Sequence, residues 1–119
     1  MGCGKWGGAV SESALVQAIL DEASNRGHRL FVNMIGTAKH SSKAGGSFFV
    51  KYGVGGPGAP DLIGWTKDGA FAAVEVKVRG KKPKPHQDAW IAAARVSCPT
   101  LRIGWADSVE KAMELLEGN

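Results

Sequence analysis

Cysteine is scarce in this sequence, and Cys3 and Cys98 stand far apart in its 119 residues. Two cysteines at that separation match neither the spacing of a zinc ribbon nor a disulfide framework. We therefore expect two free thiols in a reducing compartment. No apolar run is long enough to cross a bilayer, and residues 1–6 lack both the apolar region of a signal peptide and the Ser or Thr of a myristoylation site. These absences predict a cytoplasmic protein without a membrane contact.

Nucleotide-binding motifs are missing as well. The chain has no G-K-[ST] sequence, which excludes a Walker loop. Gly53, Gly55 and Gly58 match G-x-G-x-x-G, but a dinucleotide site needs a helix directly afterwards, whereas Pro60 and an apolar strand follow. We expect no nucleotide cofactor. The histidines are spaced too irregularly for a shared metal site and are predicted to be ordinary surface or loop residues: His28, His40 and His86.

Charge is the first positive signal. Lys and Arg outnumber Asp and Glu by 15 to 11, for a net charge of +4, and the excess is concentrated in residues 39–51 and 79–84. Such stretches suit a polyanionic partner, although either one alone is equally typical of a solvated loop. The Gly-rich composition of residues 1–10 predicts a flexible lead-in, and the chain length predicts one domain, at residues 11–119.

Hydrophobic periodicity predicts an α/β fold. Helices are expected at residues 11–26, at 86–96 and after Asp107 or Ser108, strands at 30–35, 48–52, 61–65, 71–78 and 101–105, and a basic loop at 36–46. The third and fourth strands flank a short turn and should pair antiparallel. The fourth and fifth flank a helix and should be parallel. This order gives a mixed sheet flanked by helices.

Two carboxylates are predicted to converge on this sheet. Asp61 begins the third strand and Glu75 lies in the fourth, so pairing of the strands brings them close. Hard cations such as Mg²⁺ or Mn²⁺ bind carboxylate oxygens together with water and phosphate. Lys77 shares the strand face of Glu75, where its ammonium can offset charge on a phosphoryl group. Glu12 lies on the apolar side of the first helix, so its carboxylate is predicted to point inward.

Each of these residues also has a purely structural interpretation. Glu75 and Lys77 are compatible with a surface ion pair, and Asp61 with turn chemistry. The Gly-rich segment before Asp61, the hairpin and the valines around Glu75 favour a site over both. For Glu12, a carboxylate stabilised by the helix dipole is nearly as good an interpretation as a ligand.

These motifs resemble the PD-(D/E)XK nuclease superfamily and, within it, the VRR-NUC domain, over residues 11–116. The matching segments are Ser11-Glu12, Gly58-Ala59-Pro60-Asp61-Leu62-Ile63-Gly64, Val74-Glu75-Val76-Lys77, and Gln87 with Trp90. One departure is Gly56-Pro57-Gly58-Ala59, where a shorter Gly-rich link is usual. The resemblance implies a restriction-endonuclease-like fold and a metal-dependent DNA endonuclease of a bacterial or phage-infected cell.

The resemblance also assigns roles. By it, Asp61, Glu75 and the Val76 carbonyl bind magnesium or manganese, Glu12 reaches the ion directly or through water, and Lys77 and Gln87 assist. Gln87 is also compatible with an ordinary polar residue in a helical first turn. The alternative function is a module that binds branched or damaged DNA without cutting it. The intact set of Asp61, Glu75 and Lys77 argues against that alternative.

Substrate contacts and self-association are further expectations. Small stand-alone members that this chain resembles act as homodimers on four-way junctions, which implies branched DNA as the substrate. A twofold dimer supplies the two sites that cutting of two symmetric strands requires. Trp65 and Trp105 are the predicted interface anchors. The side chains predicted to contact DNA are Lys39, Lys43, Arg79, Lys81, Lys82 and Lys84, with His40 and His86 as further candidates.

Overall fold

A computed structural model describes residues 11–118, and the predicted lead-in at residues 1–10 lies outside them. Within the described range the helices are α1 (Glu12–Asn25), α2 (Pro85–Ser97) and α3 (Val109–Glu117). The strands are β1 (Arg29–Val32), β2 (Gly36–Ser41), β3 (Ser47–Tyr52), β4 (Leu62–Trp65), β5 (Phe71–Val76) and β6 (Arg102–Ala106). No helix in this range is both long and apolar enough to span a bilayer.

The main sheet has the strand order β1-β4-β5-β6. The pairing of β4 with β5 is antiparallel and that of β5 with β6 is parallel, so both predicted pairings are confirmed. Helices α1 and α3 cover one face through a cluster that includes Ile19, Val74 and Met113. Helix α2 covers the other face, where Ile91 packs with Ala73. Strand β5 is therefore buried on both faces, and a carboxylate on it loses most of its contact with water.

Side-chain caps define where two helices begin. The Ser11 hydroxyl accepts a hydrogen bond from the Ala14 N–H at 3.2 Å, and α1 ends before Gly27, whose φ is +90°. Ser108 caps α3 by accepting from the Lys111 N–H at 3.1 Å. Ser108 rather than Asp107 is therefore the cap. Both caps satisfy backbone donors that have no partner inside the helix.

The loop predicted at residues 36–46 was wrong for residues 36–41, which form a strand, whereas residues 42–46 are the turn of a hairpin. Strand β2 pairs antiparallel with β3 from Gly36 opposite Tyr52 to Ser41 opposite Ser47. These two strands form a separate sheet, so residues 48–52 do not extend the main sheet as expected. The strand β2 was not detected because its residues are mostly polar and exposed, and a hairpin with no buried face gives no apolar alternation.

His28 is a second correction. It was predicted to be an ordinary surface or loop residue, but only 4% of it is exposed. Its Nδ1 accepts a hydrogen bond from the Lys67 N–H at 3.0 Å, so the ring proton lies on Nε2, which is 3.3 Å from Glu117 Oε2. The ring thus joins the β4–β5 turn to the end of α3 and has a structural task.

Candidate active site

Asp61 lies at the entrance to β4, where backbone hydrogen bonds hold it. Its Oδ2 accepts a hydrogen bond from the Val76 N–H at 3.0 Å. Its carbonyl oxygen accepts one from the Asn33 N–H at 2.6 Å. The Asp61 side chain is therefore hydrogen-bonded to the end of β5, and its main chain is hydrogen-bonded to Asn33, which follows β1. The predicted approach of Asp61 to the strand of Glu75 is present in the fold.

Glu75 is buried in the middle of the site, with 2% of the residue exposed. Its Oε2 accepts a hydrogen bond from Gln87 Nε2 at 2.9 Å and lies 3.3 Å from Lys77 Nζ. Its Oε1 is buried and has no hydrogen-bond partner among the described residues. A buried carboxylate oxygen without a partner is unfavourable. The surface ion pair considered for Glu75 and Lys77 is excluded, because both side chains are mostly buried.

The electrostatics of Glu75 follow from this position. Burial and, second to it, the neighbouring Asp61 carboxylate raise the pKa of Glu75 to about 7, against the opposing effect of the Lys77 ammonium. Loss of hydration penalises the charged form, and a nearby like charge does the same. The site thus holds two carboxylates with too little positive charge to balance them, which is the environment a cation would stabilise.

The donor set fits a hard divalent cation. Magnesium is bound by one or two carboxylates, with waters and substrate phosphate completing the shell. Asp61 and Glu75 supply two carboxylates, Glu75 Oε1 supplies an oxygen that needs a partner, and Val76 lies beside them. No group of three His, Cys, Asp or Glu side chains forms a possible metal cluster within residues 11–118. A cation that needed three protein carboxylates would not find them here.

Glu12 occupies the rim of this site. Its side chain is exposed and lines an open cleft of ≈ 740 Å³ together with Asp61, Gln87 and His86. It points into the cleft and not into the core as expected, because it stands at the first position of α1, before the buried Leu15. The structure therefore brings Glu12 to the cleft without bringing it into a cluster with the two inner carboxylates.

Gln87 connects helix α2 to the site. Its Oε1 accepts a hydrogen bond from the Lys84 N–H at 2.8 Å, as in an N-terminal capping interaction. Its Nε2 donates to Glu75 at 2.9 Å. The sequence is compatible with two interpretations of Gln87, a residue that assists the site or an ordinary polar residue in a first helical turn. The geometry shows both contacts, the cap at the start of α2 and the hydrogen bond to Glu75, and a role in catalysis stays a prediction.

Asn33 is a part of the site that the sequence did not reveal. Its side-chain NH₂ donates to the carbonyls of Val54 at 2.8 Å and Pro60 at 3.1 Å, and its Oδ1 accepts from the Val54 N–H at 2.9 Å. One side chain thus binds the end of the hairpin and the segment that enters Asp61. A polar residue at the end of an apolar strand was the available signal.

The Gly-rich segment is shaped by contact with α2. Trp90 Nε1 donates a hydrogen bond to the Gly55 carbonyl at 2.8 Å. Gly58 has φ +88°, and a Cβ there would lie 2.7 Å from the His86 carbonyl oxygen. A side chain at Gly58 is therefore excluded by both the backbone conformation and the space. The segment forms one wall of the cleft beside Asp61.

The six lysine and arginine side chains predicted to contact DNA are not among those that line the cleft, whereas His86, a further candidate, lines it. Four of them follow Lys77 in the connection between β5 and α2, with exposed side chains: Arg79, Lys81, Lys82 and Lys84. Lys39 and Lys43 belong to the β2–β3 hairpin and its turn, and they are also exposed. The two groups thus lie on segments that adjoin the site, and their contact with DNA stays a prediction.

Comparisons with known proteins agree with the fold. The family model described as VRR-NUC domain matches residues 11–101. A solved structure described as a VRR_NUC domain has a TM-score of 0.53 and 22% sequence identity, and covers 89% of this chain and 94% of its own. No curated protein matches the sequence. At that identity the solved structure is similar in fold, which is restriction-endonuclease-like with a mixed sheet and flanking helices, as expected from the sequence.

Proposed function

This chain belongs to the VRR-NUC domain family, a nuclease-type domain, and from that premise we propose that it hydrolyses DNA phosphodiester bonds with a bound magnesium or manganese ion. One observation carries the proposal. Glu75 is buried beside Asp61, and its Oε1 has no partner among the described residues. A protein that only binds DNA gains nothing from two such carboxylates, because their repulsion lowers stability. A bound divalent cation would remove that repulsion.

The chain's own residues divide the work. Asp61, Glu75 and the Val76 carbonyl would hold the ion, and Glu12, at the rim of the cleft, would contact it through water. When bound, the ion supplies Lewis acidity, which activates water and polarises the phosphodiester. The Lys77 ammonium, 3.3 Å from Glu75 Oε2, offsets the negative charge that develops on the phosphoryl group. Gln87 holds the Glu75 carboxylate in place through its hydrogen bond of 2.9 Å.

The substrate proposed is branched DNA, four-way junctions included, cut by a homodimer. The exposed basic residues Arg79, Lys81, Lys82 and Lys84 directly follow the catalytic strand, where they can bind phosphates on either side of the reacting bond. The site proposed for the ion is built on one carboxylate pair per chain, Asp61 with Glu75, and no cluster of three His, Cys, Asp or Glu side chains offers another within residues 11–118. A symmetric junction therefore needs two chains to cut both of its opposed strands. The alternative is a module that binds such DNA without cutting it.

The test removes one ligand at a time. Asp61→Ala and Glu75→Ala should each abolish cleavage of labelled linear, flap and junction DNA in Mg²⁺ or Mn²⁺, and should remove Mn²⁺ binding in calorimetry. Asp21→Ala, an exposed carboxylate on α1, is the matched control and should cut at the wild-type rate. Wild-type protein that binds junction DNA but leaves it intact with both metals would support the non-cutting alternative. Cleavage by either site variant at the wild-type rate would refute the assignment.

A further inference from the structure

The β2–β3 hairpin is the part of the structure that neither the core nor the site accounts for. All six residues of β3 are exposed, and the two strands pair only with each other. A two-stranded hairpin is marginally stable alone in water, so a surface that covers no core is expected to serve a contact. The segment around it carries no carboxylate: residues 23–60 contain neither Asp nor Glu.

The register divides the hairpin into two unlike faces, because residues opposite each other point to the same side. One face, termed here the basic face, consists of the pairs Thr37–Lys51, Lys39–Phe49 and Ser41–Ser47. The other face carries Ala38 with Val50, Gly36 with Tyr52, and His40 with Phe48, whose rings stack at 5.5 Å. Two lysines and a single aromatic ring thus share one side, and the other side carries apolar and aromatic side chains together with His40.

Phe49 is exposed to 70% on the basic face. It stands directly opposite Lys39 and two positions before Lys51 on the same strand, so both lysines are its neighbours on this face. An exposed aromatic ring between cations is a typical device for nucleic acids, since every base offers a face for stacking and each phosphate attracts a cation. An acidic protein partner would account for the two lysines through charge complementarity, but it would give the exposed Phe49 ring no role.

The hairpin rises from the rim of the cleft. Met34 and Ile35, which lead into β2, line that cleft together with Asp61. Asn33 ties the two ends of the hairpin segment to the chain that enters Asp61 through its contacts with Val54 and Pro60. The base of the hairpin is therefore held beside the site that would contain the reacting phosphodiester. Six-residue strands extend about 20 Å from there, which spans several nucleotides.

We propose that the basic face of the β2–β3 hairpin is a second DNA-binding surface, on which Lys39 and Lys51 bind backbone phosphates and Phe49 stacks on an unpaired base. This inference rests on the proposed nuclease function and deepens it. It gives the chain a physical basis for preferring DNA with unpaired bases, because stacking on Phe49 requires a base that is free of its neighbour. Fully paired duplex gains only the two phosphate contacts.

The experiment measures DNA affinity by fluorescence anisotropy in Ca²⁺, with a duplex and with the same duplex carrying a single-stranded flap. Phe49→Ala should weaken flap binding about tenfold and leave duplex binding within twofold. The paired change Lys39→Ala with Lys51→Ala should weaken both and reduce the slope of log affinity against log salt by nearly two units. Lys67→Ala, at the far end of β4 from Asp61, is the matched charge control and should change neither.

Three results would overturn the inference. Unchanged flap and duplex affinity in the hairpin variants, all folded by circular dichroism, would show that DNA does not touch this face. An equal loss of flap and duplex binding in Phe49→Ala would remove the stacking contact. A change of mass in light scattering, with DNA affinity retained, would make the face a contact between two copies of the chain.

A small phosphodiester separates this inference from the proposed function. Bis(p-nitrophenyl) phosphate has a phosphodiester but neither a nucleic-acid backbone nor bases, so its Mn²⁺-dependent hydrolysis should depend on the catalytic residues and not on DNA contacts with the hairpin. The hairpin variants should hydrolyse it at the wild-type rate while binding flap DNA less well. If the wild-type protein hydrolyses neither this compound nor DNA, the proposed function fails. If it cuts DNA and the hairpin variants bind and cut equally well, only the inference fails.

Discussion

Glu75 is the residue at which folding and function make opposite demands. Burial and the Asp61 carboxylate raise its pKa to about 7. A carboxylate whose pKa is higher in the folded state than the unfolded value near 4.5 contributes stability that is fully present below pH 4.5. That contribution is lost as the pH rises through 7. The free energy of unfolding of the metal-free protein should therefore fall as the pH rises from mildly acidic to mildly basic values.

Replacement of this carboxylate tests the prediction. In EDTA, the free energy of unfolding of the wild type should fall by about 2 kcal/mol more than that of Glu75→Gln between pH 5.5 and pH 8, since one pKa unit corresponds to about 1.4 kcal/mol. Urea denaturation at the two pH values measures the difference. Glu114→Gln, an exposed carboxylate on α3, is the control and should follow the wild type. Parallel pH profiles for Glu75→Gln and wild type would contradict the raised pKa.

Lys77 carries the second residue-scale prediction. Its ammonium lies 3.3 Å from Glu75 Oε2, and its proposed task is in the transition state. Lys77→Ala should therefore lower the single-turnover rate in Mg²⁺ by about 10²–10³-fold. DNA affinity in Ca²⁺ should stay within a few fold of wild type, because Ca²⁺ should occupy the site without supporting the reaction. A variant that loses affinity but keeps its rate would assign Lys77 to substrate binding.

At the scale of elements, Asn33 connects the hairpin to the strand of Asp61. Its side chain makes hydrogen bonds with the main chain of Val54 and Pro60, and its own N–H bonds the Asp61 carbonyl. Asn33→Ala should lower stability by about 1–2 kcal/mol through these lost hydrogen bonds. It should also weaken Mn²⁺ binding several-fold, because the entry to β4 is no longer held.

A matched variant separates positioning from stability. Thr66, 1% exposed, accepts a hydrogen bond from the Ala70 N–H at 3.0 Å and bonds Asp68 at the other end of β4. Thr66→Ala should lose a similar amount of stability in urea and keep the wild-type Mn²⁺ affinity in calorimetry. If Asn33→Ala and Thr66→Ala had equal effects on Mn²⁺ affinity, the role of Asn33 would be structural only. Asn33→Asp keeps the acceptor for Val54 and should recover part of the stability only.

At the scale of the whole molecule, the exposed aromatic residues bear on assembly. Trp65 is exposed to 52% and its ring lies 5.6 Å from that of Phe31, which is exposed to 53%. Phe71 stands opposite Trp65 on β5 and is exposed to 39%. Trp105, the other predicted anchor, is half-buried and has the Lys111 ammonium 3.2 Å from its ring centroid. Trp65 is therefore the better placed of the two.

A homodimer built on this patch makes a direct prediction. Light scattering at micromolar concentration should give about twice the chain mass of 12.5 kDa. Trp65→Ser should halve that mass, and junction DNA should lose its paired, symmetric nicks. Val96→Ser is the control, since Val96 is 84% exposed and lies on α2 rather than in the Phe31–Trp65–Phe71 patch. A monomeric wild type that cuts linear duplex and junction equally would reject junction resolution but not nuclease activity.

The sequence by itself determined the elements with a buried face. Apolar residues at helical spacing gave α1, and the run of valines and alanines gave β5, because burial imposes a period that can be read along the chain. The short turn between β4 and β5 was enough to bring Asp61 toward the strand of Glu75. These patterns predicted Glu12, Asp61, Glu75 and Lys77 as site residues, and the family resemblance added Gln87 and the Val76 carbonyl. The sequence did not reveal Asn33, and the catalytic roles stay predictions.

Only the tertiary structure decided the features that no hydrophobic periodicity in the sequence indicates. The β2–β3 hairpin buries no face, so the sequence predicts a loop where strand β2 lies. The buried His28, the contacts of Asn33 and the unpartnered Glu75 Oε1 depend on which main-chain atoms meet across distant segments. Local sequence encodes which side of an element avoids water. Hydrogen bonds between segments follow from packing of the whole chain, and the charge balance at Glu75 arises only there.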